Sequence, residues 1–225
     1  MKKYCSIAAM VFLFCSCNRI GINPPVDVIN TATASNSSEV INKTLLPEDY
    51  IAFVEDPQNG LHVAKEIDQI TYDLQYKPLD YVILLEKLRD SVSKAEIEKR
   101  EMELKDMQYF TLKIEAKNNN QELLKYNLTS ENEYYQRIRY FSFDMQKDIY
   151  LREGKDSIPC GLFHFERTFG VVPYIKIVLG FANPTGEDSN NRIFTFTDKV
   201  FKGGKINIAI ENNYLRNIPK LKTEF

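Results

Sequence analysis

From about Leu61 the chain alternates with a period of two. Leu61, Val63, Lys65 and Ile67 interleave with His62, Ala64 and Glu66. After Asp68, the residues Ile70, Tyr72, Leu74 and Tyr76 fall opposite Thr71, Asp73, Gln75 and Lys77. Successive side chains of a strand point to opposite faces, so both runs predict strands with one buried side. At Pro78 the period changes. Tyr81, Leu84, Leu85 and Leu88 recur at i, i+3, i+4 and i+7, the stripe of a helix that opens on a proline and carries Asp80 in its first turn. Ser93 and Glu96 have capping-box spacing and predict a second helical stretch to about Asp106. Its charges, with Glu96/Arg100 and Glu101/Lys105 at i, i+4, read as a solvated face.

Phe110, Leu112, Ile114 and Ala116 return to the strand period, and Asn118-Asn119-Asn120 ends it. Ser130 and Glu133 repeat the capping-box spacing before Tyr134, Ile138 and Phe141, although the pattern around Phe141 also fits a strand. Ile149-Tyr150-Leu151 and Leu162 to Arg167 flank Glu153-Gly154-Lys155-Asp156, which predicts a hairpin with a loose turn. Tyr174 to Phe181 is apolar except for Lys176, as a central strand would be. Residues 182–191 are a loop by composition. Ile193 to Thr197 and Val200 to Lys202 read as short strands, Gly203-Gly204 as a two-residue hairpin turn, and Ile206, Ile208 and Ile210 as the alternation that follows. A turn or short helix near Tyr214-Leu215 is closed by Pro219. Runs of strand with two or three inserted helices predict an α+β fold with a mainly antiparallel sheet.

The N-terminus follows a different logic. Lys2 and Lys3 precede an apolar run from Ile7 to Phe14, too short to span about 30 Å of hydrocarbon as a helix. Positive charge followed by a short apolar run is the form of a removable export signal. Ser16 stands directly before Cys17, and Phe14-Cys15-Ser16-Cys17 resembles the lipobox of bacterial lipoproteins, with Phe14 in place of the usual aliphatic residue. The resemblance implies a signal peptide over residues 1–16, lipidation of Cys17 and a membrane anchor through its acyl chains. An ordinary secreted protein cut nearby is the competing reading. Asn18-Arg19 lacks the aspartate that retains many lipoproteins at the inner membrane, which favours an outer-membrane anchor facing the periplasm. An inner-membrane or cell-surface position stays open. The Asn, Lys and Ile bias is similar in style to lipoproteins of Bacteroidota.

Residues 17–46 are rich in Asn, Ser, Thr and Pro with no apolar period, and predict a tether leading to one α+β domain over residues 47–225. Of the four cysteines, the signal removes Cys5 and Cys15 and the lipid takes Cys17. Cys160 is left alone, so the body has no disulfide of its own. The net charge of −2 becomes about −4 once Lys2 and Lys3 are lost, and no clustered basic stretch marks a nucleic-acid partner.

Catalytic chemistry has one suggestive constellation. Cys160, His164 and Glu166 would share a face of a regular strand, where thiol, imidazole and carboxylate suit nucleophilic or metal chemistry. Phe163 and Phe165 on the other side supply the plainer reading, in which His164 and Glu166 are simply outward polar positions. His62 is the only other histidine, and no cluster of zinc ligands exists in the sequence. Glu187 and Asp188 offer oxygen ligands without the calcium-loop order. Arg167 suits a carboxylate, a phosphate or an acid on a neighbouring strand. Asp90-Ser91-Val92 and Asp156-Ser157-Ile158 resemble the O-glycosylation sequence of Bacteroidota periplasmic proteins. No hydrolase, zincin, dinucleotide or Walker motif is present, and no cofactor is implied. The reading is a lipid-anchored envelope protein that binds or scaffolds an envelope protein or glycan. The alternative is a periplasmic hydrolase or metal-dependent enzyme using His164 and Glu166.

Overall fold

In a computed structural model, which describes residues 43–89, 93–183 and 191–222, the alternating runs become the wall of a nearly closed barrel. The elements in order are β1 (Thr44–Leu45), α1 (Pro47–Glu55), β2 (His62–Ile67), β3 (Ile70–Lys77), α2 (Leu79–Arg89), α3 (Lys94–Leu104), β4 (Met107–Ala116), α4 (Glu131–Arg139), β5 (Ile149–Glu153), β6 (Asp156–Glu166), β7 (Tyr174–Ala182), β8 (Arg192–Asp198), β9 (Gly204–Ile210), α5 (Asn212–Arg216) and β10 (Lys220–Leu221). Eight strands form one sheet in the order β2-β3-β4-β7-β6-β5-β8-β9, and every neighbouring pair is antiparallel. The fold is therefore α+β with a mainly antiparallel sheet. Helices α2, α3 and α4 are inserted between its strands, with α1 before and α5 after. The outer strands β2 and β9 approach each other without a ladder, and Lys65 Nζ reaches across to the Asn207 carbonyl at 3.4 Å.

The strand period decides the interior. Ile70, Tyr72 and Leu74 from β3, Phe110, Leu112 and Ile114 from β4, and Ile177, Leu179 and Phe181 from β7 are buried on one side. Phe194, Phe196, Ile206, Ile208 and Ile210 complete that core. Edge-to-face contacts fill it, with Phe110 against Phe181 at 5.6 Å and Tyr76 against Phe110 at 5.2 Å. Such pairs add about 0.5–1.5 kcal/mol beyond the burial itself.

Several expectations are corrected. Thr44 and Leu45, in the predicted tether, pair in parallel with Lys220 and Leu221. Helix α1, in a stretch for which no element is predicted, buries Tyr50 and Val54 against Leu61, Tyr81 and Leu84. On α2 the buried face is Tyr81, Ile83 and Leu84, and Leu88 is exposed, so the stripe is rotated. The Ser93–Glu96 capping box forms, but Arg100 binds Glu86 of α2 at 2.8 Å and Glu103 instead of Glu96. The Ser130 box is half formed: its hydroxyl takes the Glu133 N–H, while Glu133 turns to the Thr129 N–H and hydroxyl. The β5–β6 turn is tight, since Glu153 pairs with Asp156 across Gly154-Lys155. Between β8 and β9 the ladder closes on Asp198 and Gly204, so Val200 to Lys202 lie in the loop and Gly203-Gly204 is not the turn.

Four buried or half-buried phenols fix a pH response. Burial first, then the Asp198 carboxylate, pushes the Tyr72 phenol far above its ordinary value, and burial, then Asp148, does the same to Tyr140. Tyr50 and Tyr81 are raised as well, again chiefly by burial. The folded chain keeps protons that the unfolded chain loses above about pH 10. Their contribution is complete below that pH and falls as pH rises through the higher folded values. Thermal melts from about pH 9 to about pH 11 should therefore show stability dropping above about pH 10, less steeply in Tyr72→Phe. Equal slopes in both proteins would refute the assignment to Tyr72.

Candidate functional site

The predicted constellation on β6 is split by the strand's geometry. β6 pairs with β5 up to Pro159 and with β7 from Cys160, and the register slips between Cys160 and Leu162. A bulge of this kind moves a residue to the other face. Cys160 consequently joins the core, where its thiol donates to the Leu162 carbonyl at 3.0 Å and burial pushes it up to about 12. Gly180 permits the bend, because a Cβ there would lie 2.8 Å from Met107 Cε and 2.9 Å from Leu162 Cβ. His164 stands exposed on the outer wall, and Glu166 beside it pairs with Lys176 at 3.1 Å. Cys160 thus shares no face with them, contrary to the regular-strand expectation.

The two histidines do share a cross-strand row. His62 pairs with Gln75, Gln75 with Thr111, Thr111 with Val178 and Val178 with His164. Four strand spacings put them about 19 Å apart, far beyond a shared ligand. His62 Nδ1 lies 3.7 Å from Asp73 Oδ1. Among the described residues no group of three or more His, Cys, Asp or Glu is placed to hold a metal. Glu187, Asp188 and the Asp90-Ser91-Val92 sequence lie outside the described residues. Asp156 and Ser157 are exposed at the start of β6.

The connections after β4, β6 and β8 all emerge at one end of the barrel, because their strands run antiparallel in register. A cleft of about 310 Å³ with a mixed polar and apolar lining opens there between residues 126–129, α4 and the β8–β9 loop. Arg137 is its organising residue. Its Nη1 donates to the Leu124 carbonyl at 3.0 Å and the Tyr126 carbonyl at 2.7 Å, and its Nη2 to Glu133 Oε1 at 2.6 Å. The guanidinium lies 5.6 Å from the Phe201 ring centre, and its buried Nε has no hydrogen-bond partner. Thr129 and Arg137 together hold the Glu133 carboxyl down to about 2. The rim carries Asn127 and Lys202, both with positive φ, at 48° and 66°. The cleft thus sets an amide, a hydroxyl, a carboxylate, a cation and a ring around one opening.

Arg167, the other candidate cation at this end, stacks its guanidinium 4.6 Å from the Phe169 ring centre. Phe169 and Gly170 have φ of 50° and 80°, and the Val171 N–H donates to the Thr168 carbonyl at 3.0 Å. These are the signs of a type I′ turn, whose first central position favours Asn or Gly. A left-handed phenylalanine costs about 1–2 kcal/mol. Phe169→Asn should therefore raise stability by about 1 kcal/mol, or about 2–4 °C in Tm. A melt that falls would refute the strain.

The opposite end holds a buried polar cluster. Glu153 Oε1 accepts from Arg192 Nε at 3.1 Å and from Gln108 Nε2 at 2.7 Å. Arg192 also lies 4.8 Å from the Tyr76 ring centre. Its seclusion inside the barrel mouth makes it a structural cluster. Compared with known protein families, curated proteins and solved structures, the chain matches none of them.

Sequence reasoning missed Arg137, Asp198 and the Glu153–Arg192 pair. The Leu124 and Tyr126 carbonyls on Arg137, the Tyr72 hydroxyl on Asp198 and the Glu153–Arg192 bond all join residues more than ten positions apart, and only the Ser130 cap hinted at the placement of α4.

Proposed function

We propose that this protein is a lipid-anchored component of the bacterial cell envelope that binds or scaffolds an envelope protein or glycan. The signal-like residues 1–16 and Cys17 support a lipid anchor, and Asn18-Arg19 favours the outer membrane, facing the periplasm. The observation that carries the binding role is the Arg137 cleft. Its polar groups are held in place by bonds to backbone and side chains, so they need little ordering on contact. Its mixed amides, hydroxyls, charges and ring faces suit a sugar or a polar peptide surface.

Two measurements test this reading. Metabolic labelling with a fatty-acid analogue should mark the wild type and not Cys17→Ser, and fractionation should release the variant from membranes. Retained label would sink the anchor. A photo-crosslinking residue placed at Lys202, on the cleft rim, should capture a larger species in intact cells. Recovery of monomer alone, with the same result at Asn127, would remove the binding role.

A further inference from the structure

The turn between β6 and β7 has properties that the cleft does not explain. Phe169 is 75% exposed and Val171 is 85% exposed, side by side at the tip of residues 167–173. The left-handed conformation of Phe169 is disfavoured for a bulky residue, so an exposed phenylalanine here is held against both hydrophobicity and backbone preference. Strain of this kind points toward function when it is observed rather than assumed. Glu122 stands beside the tip. A Cβ on Gly170 would lie 3.7 Å from Glu122 Oε2, and Glu122 takes the Tyr134 hydroxyl at 3.1 Å and Lys125 at 3.5 Å.

We infer that the Thr168–Val171 turn is a bilayer-contacting tip, which dips Phe169 and Val171 into the interfacial layer while Arg167 and Lys125 stay among the headgroups. Three features select a lipid surface over a protein partner. The tip is a convex protrusion of two apolar side chains, far smaller than the roughly 800 Å² per partner of a stable protein interface. The Arg167 guanidinium lies over the ring of Phe169, with an apolar stem and a charged head at the boundary, as snorkelling side chains are placed. Lys125 lies 5.6 Å from the Tyr134 ring centre, adding the aromatic and basic pairing found at membrane interfaces. The inference rests on the reading that the body works beside a membrane, and it turns the loop end of the barrel toward that membrane.

The natural sequence has no tryptophan, so one introduced indole reports alone. The full chain, with a C-terminal hexahistidine tag, is held on vesicles of phosphatidylethanolamine and phosphatidylglycerol by a nickel-chelating lipid. Phe169→Trp, Val171→Trp and, on the outer wall of β5, Tyr150→Trp are compared with and without brominated acyl chains. The expected result is a blue-shifted emission at positions 169 and 171, with quenching several-fold greater than at position 150. Circular dichroism checks that each variant is folded, and the two tip positions substitute for each other if one fails. Water-like emission at the tip, or equal quenching at all three positions, overturns the inference. Because nickel lipid and not Cys17 holds the chain, this outcome is independent of the fatty-acid labelling. A failed tip leaves the anchor intact, and a failed anchor leaves the tip readable.

Discussion

Asp198→Ala should lower the free energy of unfolding by about 3–5 kcal/mol, read as a reduced urea midpoint with an unchanged slope. The carboxylate is 4% exposed and closes the β8–β9 loop from within. Its Oδ1 accepts the N–H groups of Val200 and Phe201 at 2.9 and 3.0 Å. Its Oδ2 accepts the Gly203 N–H at 2.7 Å and the Tyr72 hydroxyl at 2.8 Å. Hydrogen bonds to a charged group contribute about 1.5–3 kcal/mol each, and removing their acceptor leaves buried donors unpaired. Asp198→Asn should fall between the two proteins, since the amide keeps one acceptor and turns an NH₂ toward donors. A loss below about 1 kcal/mol for the alanine variant would mean that the loop reorganises or admits water, against the proposed role.

The second large effect lies at the opposite mouth. Glu153→Ala should cost about 3–5 kcal/mol, because it removes the buried acceptor of Arg192 Nε and Gln108 Nε2. The informative comparison is the double variant Glu153→Met with Arg192→Met. Two apolar side chains of similar length remove both charges together, and their desolvation with them, so the double variant should be close to the parent or more stable. A double variant as damaged as the single would show that the pair itself, and not the avoidance of an imbalance of buried charge, stabilises this end. Chemical denaturation of the parent, Glu153→Met, Arg192→Met and the double variant completes the cycle.

How much was legible follows the range of the interactions. Ile70 to Lys77 declares its strand by alternation and Tyr174 to Phe181 by a short apolar run, and both signals are local. Pro78, Ser93 and Ser130 mark helix starts because a cap needs only its neighbours. Helix α1 was not read: its N-cap residue is Leu46, with no side chain able to cap, and Ile51 and Phe53 blur the Tyr50–Val54 stripe. The face of Cys160 could not be counted from spacing, because one register slip between Cys160 and Leu162 reverses it. Pro159 and Gly161 were the visible signs of that break. Val200 to Lys202 look like a strand, yet Asp198 gathers the N–H groups of Val200, Phe201 and Gly203 into a loop. Arg137 reads as surface charge on an amphipathic helix, and its value depends on two carbonyls more than ten residues back in the chain.

The pairing of β1 with β10 sets the order in which the body can be completed. Thr44 meets Lys220 across 176 positions of sequence, counting from 44 to 220. Loop-closure entropy makes such a contact slow to form before the intervening sheet has assembled. The first described strand therefore waits for one of the last, and the seal between them closes late. Once closed, it runs strand alongside strand. A load arriving at residue 43 therefore meets the β1–β10 pair before it reaches α1.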